Sequence, residues 1–196
     1  MISVGENRTK LQLDQALRTL LREKGPEQIR VRELTELCGI RRQSFYYHFT
    51  DVFDLLRWSV DRTASLLEAR QEGCLTWQQA FRDLLDCLSE NRAYCLAVRG
   101  ALGREGLRRM LGGPVDRLLE RTAAYYKPRC GFSGGGDPDA IPCAGAMVLG
   151  LLDGWLSGDL AESPEALTAQ LERAVDRRQL GELWRNYPNW GAVSIP

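Results

Sequence analysis

The stretch VRELTELCGIRRQSFYYHF, residues 31–49, decides how the chain is read. Leu34, Leu37 and Cys38 recur at helical spacing, and Gly39 then breaks the run. A second short helix is predicted over residues 42–48. Two short helices across a glycine turn, locked by apolar positions, make a helix-turn-helix. Leu34, Leu37, Ile40, Phe45 and Phe49 are expected to form the lock, which leaves Arg42, Gln43, Ser44, Tyr46 and Tyr47 pointing outward. Arginine reads guanine through two parallel hydrogen bonds, glutamine reads adenine the same way, and serine reads either. Tyrosine hydroxyls and the chain's single histidine, His48, suit phosphate oxygens, which set register without reading sequence. Taken alone, the pattern fits a surface for DNA and equally a purely structural helix pair.

Working outward, the helical period continues in both directions. Leu13, Ala16, Leu17, Leu20 and Leu21 predict an amphipathic first helix that Lys24-Gly25-Pro26 ends. Thr50 or Asp51 can cap a long fourth helix with Val52, Leu55, Leu56, Ser59, Val60, Thr63, Leu66 and Leu67 on one side. Trp77, Ala80, Phe81, Leu84, Leu85 and Leu88 mark a fifth. Residues 94–102 and 107–126 read as two more, with an interruption expected at Gly112-Gly113-Pro114. The segment KPRCGFSGGGDPD (127–139) reads as a loop. An eighth helix follows over 138–157, and Ser163-Pro164-Glu165 starts a ninth, with serine as cap and proline at the first helical position. The tail NYPNWGAVSIP has no period. The expected fold is all-α with about nine helices: a three-helix head over 1–50 and a helical regulatory and dimerisation body over 51–196.

Bulk composition narrows the function. The chain has 196 residues, 44% hydrophobic and 27% charged, as in ordinary globular proteins. Formal net charge is zero, but residues 1–50 hold nine Lys/Arg against six Asp/Glu, so the basic excess sits at the front. Six cysteines without a C-x-x-C pair, and a polar beginning, predict reduced thiols, a cytoplasmic location and no metal or cofactor. The run over 140–156 is too short for a membrane span and contains Asp153. Gly150, Gly154 and Gly158 recur there every fourth residue, a spacing that lets two helices approach closely. With Leu151 and Trp155 beside them, they are the expected dimer interface. Gly131-Phe132-Ser133-Gly134-Gly135 matches the G-x-S-x-G nucleophile pattern in letters only. It lacks the preceding strand and the downstream histidine that the chemistry requires, and no enzyme is expected.

REKG (22–25), VRELTELCGI (31–40) and RRQSFYYHF (41–49) together resemble the DNA-binding region of TetR family transcriptional regulators. The string RRQSFYYHFTDVFDLLRW, and more softly GWLSGDLAESPEAL (154–167), is similar to a subfamily containing regulators of dihydroxyacetone kinase operons. The resemblance implies base contacts from Arg42, Gln43 and Ser44. It places Tyr46, Tyr47 and His48 at or near phosphates, with Arg30 and Arg41 beside them. Two positions depart from the family pattern: Arg30 stands where a capping Thr or Ser is usual, and Val52 where a lysine is. The resemblance further implies a homodimer on a pseudo-palindromic double-stranded operator, acting as a repressor. A small-molecule effector is expected among Trp77, Phe81, Tyr94, Cys95, Met110 and Tyr125. Because the body shows no buried-looking charges beyond Asp153 and Arg99, that effector is expected to be apolar or neutral. The alternative is a co-regulator or adaptor of the same fold that works through a protein partner, with weak or no specific DNA binding.

Overall fold

The first helix, α1 (Val4–Leu20), buries Leu13, Ala16, Leu17 and Leu20 along one stripe, as the three- and four-residue spacing requires. The computed structural model describes residues 4–72, 74, 76–130 and 140–175, with side chains described over 8–72, 74, 76–122 and 144–173. Among these residues every regular element is helical. A single 3-10 turn (Pro26–Gln28) follows α1, then α2 (Val31–Cys38), α3 (Arg42–His48), α4 (Val52–Glu72) and α5 (Trp77–Glu90). Next come α6 (Arg92–Cys130), α7 (Ala140–Ser157) and α8 (Pro164–Val175). The fold is all-α, as expected.

Capping chemistry sets several boundaries. Asp51, rather than Thr50, caps α4: its Oδ1 accepts the Asp54 N–H at 2.7 Å, while Asp54 reaches back to the Thr50 N–H at 3.0 Å. Thr76 accepts the Gln79 N–H at 3.2 Å to start α5, and Ser163 does the same for Ala166 at the start of α8.

The long middle helix meets one expectation and departs from another, and the backbone explains both. The interruption expected at Gly112-Gly113-Pro114 is absent, whereas its break falls between the two helices expected over 94–102 and 107–126, at Gly103, with φ 64 and ψ −161. That conformation is open essentially to glycine alone. Proline, by contrast, has a helical φ. Pro114 deprives the helix of one N–H donor, but its ring's clash with a preceding Cβ is absent because Gly113 has none. Residues 127–130, expected in a loop, form the last turn of α6. The G-x-S-x-G match and the C-terminal tail lie outside the described residues.

One continuous core runs from Leu13 to Leu167. In it α1 packs on α2 and α4, and α2 on α3; α4 lies along α6, and α6 along α7. The terminal α8 packs on α5, with Gln78 donating to Glu172 at 3.0 Å. Because α4 packs on both α1 and α6, it joins the N-terminal helices to the body. No helix of the described residues is long and apolar enough to cross a membrane.

Candidate nucleic-acid interface

Gly39 adopts φ 64 and ψ 28, and its N–H bonds to the Glu36 carbonyl, so α2 ends in a left-handed turn that glycine accommodates without strain. The turn delivers α3 across α2. Leu34 and Phe45 are fully buried between them, and Phe49 is nearly so, its ring 5.9 Å from that of Phe45 and 5.8 Å from that of Trp58. Leu37 does not join this lock, because it is 57% exposed. At about 100° per residue, Val31, Leu34, Thr35 and Cys38 centre one face of α2, and Leu37 falls about 110° away from it.

With Phe45 pinned inward, the other side of α3 faces out. Arg41, Arg42, Gln43, Tyr46 and Tyr47 are exposed, Tyr47 at 75%, while Ser44 and His48 are half-buried. The His48 ring meets Tyr47 edge-on at 4.9 Å. Arg41 and Arg42 form no ion pair among the described residues, so both guanidiniums point into solvent unpartnered. Arg30 sits at the start of α2, also exposed. A guanidinium has no acceptor, so only half of a capping box forms: the Arg30 N–H donates to Glu33 Oε2 at 2.9 Å. Glu33 also pairs with Lys24, tying the end of α1 to α2. These bonds hold the Glu33 carboxyl below its ordinary range, the lysine contributing most. Val52 is buried, so the start of α4 presents no side chain for an anion there.

Together, α1–α3 present a two-arginine, amide, hydroxyl and phenol surface on a helix narrow enough for the major groove. A comparison with solved structures finds the same architecture in a protein described as dihydroxyacetone kinase operon activator DhaS. It aligns at TM-score 0.63 and 19% identity, over 85% of this chain and 93% of that one. The two chains share the same all-α fold. No protein-family model matches the chain, and no curated protein matches it by sequence.

Within this fold, the residues expected around an effector separate. Trp77 and Phe81 are fully packed core of α5. Tyr94, Cys95 and Met110 line a cavity of about 340 Å³ together with Arg18, Arg62, Thr63, Leu66 and Arg70. The side chain of Tyr125 lies outside the described residues. Burial pushes the Cys95 thiol up to about 12 and raises the Tyr94 hydroxyl as well.

At the floor of the cavity is a polar cluster that the sequence reading missed. Asp14 accepts from Arg18 Nε at 3.1 Å, from Arg62 Nη1 at 2.9 Å and from the Ser59 hydroxyl. Arg18 Nη2 donates to Thr63 Oγ1 at 2.6 Å, and its guanidinium lies 4.0 Å from the Tyr94 ring centre. Tyr94 is hydrogen-bonded to Ser59 at 2.8 Å. The expectation of an uncharged surround is therefore overturned. The missed charges come both from α1 (Asp14 and Arg18), which the sequence reading had set apart from the body, and from α4 (Arg62 and Arg70) within it. A signal was available: Asp14 and Arg18 lie four apart, beside the buried positions Leu13 and Leu17.

The positions expected at a dimer interface also fall in different settings. Gly150 is exposed and has nothing within 4 Å of where a Cβ would stand. Leu151 is half-buried, as is Trp155, whose indole N–H donates to the Glu162 carbonyl at 2.9 Å. Gly154 faces Leu160 of its own chain. Gly158 lies past the end of α7, at φ 87, and closes that helix rather than lining it. Met147, 76% exposed, stands one turn before Gly150.

Proposed function

We propose that the chain is a sequence-specific DNA-binding transcriptional regulator that grips a pseudo-palindromic operator as a homodimer. The carrying observation is the outward face of α3: Arg41, Arg42, Gln43, Tyr46 and Tyr47 exposed on a helix whose opposite side, Phe45, is fully buried. In this reading residues 1–50 form the DNA-binding unit and residues 51–196 the regulatory and dimerisation body. Arg42, Gln43 and Ser44 reach base edges, while Arg30, Arg41, Tyr46, Tyr47 and His48 hold phosphates. The dimer forms through α7, whose Met147, Gly150 and Leu151 leave an apolar strip that its own chain does not fully cover. A small ligand releases or reorients the DNA-binding units, and the protein works in the cytoplasm as a repressor. DhaS is described as an activator, which supports the opposite sign as a second reading of the same DNA-binding function.

A co-regulator that acts through a protein partner is a separate reading. It is favoured by Val52, whose burial leaves the start of α4 without a cation for phosphate. Selection from random duplex DNA followed by fluorescence anisotropy decides between the two. The DNA reading expects an enriched palindromic site on which Arg42→Ala costs about 1–3 kcal/mol and relaxes one position per half-site. Tyr47→Phe should weaken binding to all sequences alike, since a phosphate contact is blind to the base. No enriched site, or equal losses for both variants on specific and random DNA, would favour the co-regulator.

A further inference from the structure

We propose that the 340 Å³ cavity between α1, α4, α5 and α6 binds a small anion, a carboxylate or phosphate carried on a compact apolar body. Three guanidiniums line it, from Arg18, Arg62 and Arg70, and no carboxylate does. The one carboxylate beneath them, Asp14, neutralises one charge. Three positive groups against one negative leave an excess of two. Arg18 and Arg62 already bond to Asp14, whereas Arg70 forms no ion pair among the described residues. Glu90, exposed near the end of α5, is outside the lining but close enough to Cys87 to act on it, and so offsets part of the positive excess. An unneutralised guanidinium at the mouth of an apolar-walled cavity favours an anion, which it can bind by two parallel hydrogen bonds.

The remaining lining defines the body of the ligand. Leu66, Leu67, Leu88, Cys95 and Met110 supply apolar wall, and Asn91 and Thr63 add polar contacts. Leu66, half exposed where the apolar stripe of α4 was expected to be covered, lies with exposed Arg70 at the mouth. At 340 Å³ the space is at the small end of ligand cavities and suits one ring with one charged group. A larger groove of about 770 Å³ between α6 and α7 is a poorer candidate. Its two arginines are outnumbered by four carboxylates.

The site deepens the regulatory reading by giving the ligand a chemistry, and it rests on that reading only for its consequence at DNA. Arg18 belongs to α1, and Arg62 and Arg70 to α4. An anion shared by these side chains therefore bears on the joint between α1 and α4. Calorimetry on the full chain without DNA, at low ionic strength, compares benzoate, phenyl phosphate and benzamide, which carry the same ring. At least one anion should bind about tenfold or more tightly than benzamide, as a charge-assisted pair predicts, and the tighter of the two identifies the head group. Arg70→Gln leaves the Asp14 cluster intact and should remove about tenfold of that affinity without lowering the melting temperature of the free protein. Equal binding of benzamide and both anions, binding of neither anion, or undiminished affinity in Arg70→Gln overturns the proposal. Because no DNA is present, a chain that binds no operator gives the same titration, and the two readings fail separately.

Discussion

Replacing Asp14 by asparagine tests how the polar cluster holds α1 to α4. Asp14 is 2% exposed and is the shared acceptor for Arg18, Arg62 and Ser59. The substitution keeps the volume, removes the charge, and turns one acceptor into an amide that can only donate toward the guanidiniums. Breaking a buried ion pair by removing one partner costs about 3–5 kcal/mol. Here the guanidinium side chains are 19% and 33% exposed, so water takes up part of the lost interaction. The expected loss is therefore about 2–3 kcal/mol, toward the lower end. With a urea slope of about 2 kcal/mol/M, the unfolding midpoint should fall by about 1–1.5 M. Circular dichroism at fixed pH and salt measures it. Glu36→Gln is the control. It breaks the Arg32–Glu36 pair, whose side chains are 69% and 61% exposed, and should leave the midpoint in place. A shift under about 0.3 M with unchanged slope, or equal shifts for the two variants, would refute this account of the cluster.

Three further outcomes are expected. Gly103→Ala should cost about 2–3 kcal/mol and Gly39→Ala about 1 kcal/mol, since both positions have open space around a new Cβ and differ only in backbone conformation; equal thermal shifts would mean that α6 straightens at Gly103. The Glu33 carboxyl is held below its ordinary value of 4.5, chiefly by Lys24, so its contribution to stability is present above that pH and is lost as pH falls through the lower folded value. The gap in denaturation midpoint between the wild type and Glu33→Gln should accordingly close between pH 6 and pH 3, and a gap independent of pH would remove the ion pair from the explanation. A Cβ added at Gly150 has open space within 4 Å among the described residues, so loss of a dimer by Gly150→Leu in light scattering, with the helical signal and melting temperature kept, would be an intermolecular effect, whereas unchanged mass would put the interface elsewhere.

Period and punctuation alone determined most of the secondary structure. The stripe from Trp77 to Leu88 is buried as read, Gly39 forms the turn, and Ser163-Pro164 starts the last described helix. Such features depend on neighbours three or four residues away, so local sequence carries them. The outward face of α3 was legible for the same reason: once Phe45 is inside, helical geometry puts Arg42, Tyr46 and Tyr47 outside. Tertiary structure decided what depends on partners distant in sequence. Leu37 and Leu66 fit apolar stripes yet are exposed, because among the described residues no helix covers them. Gly112-Gly113-Pro114, read as an interruption, keeps its place inside α6, while the break at Gly103 lies between the two helices that period had already marked. Above all, Asp14 meets Arg62 and Ser59 across more than forty residues of chain. No local pattern records where α4 crosses α1, and that crossing makes the arginine-lined cavity.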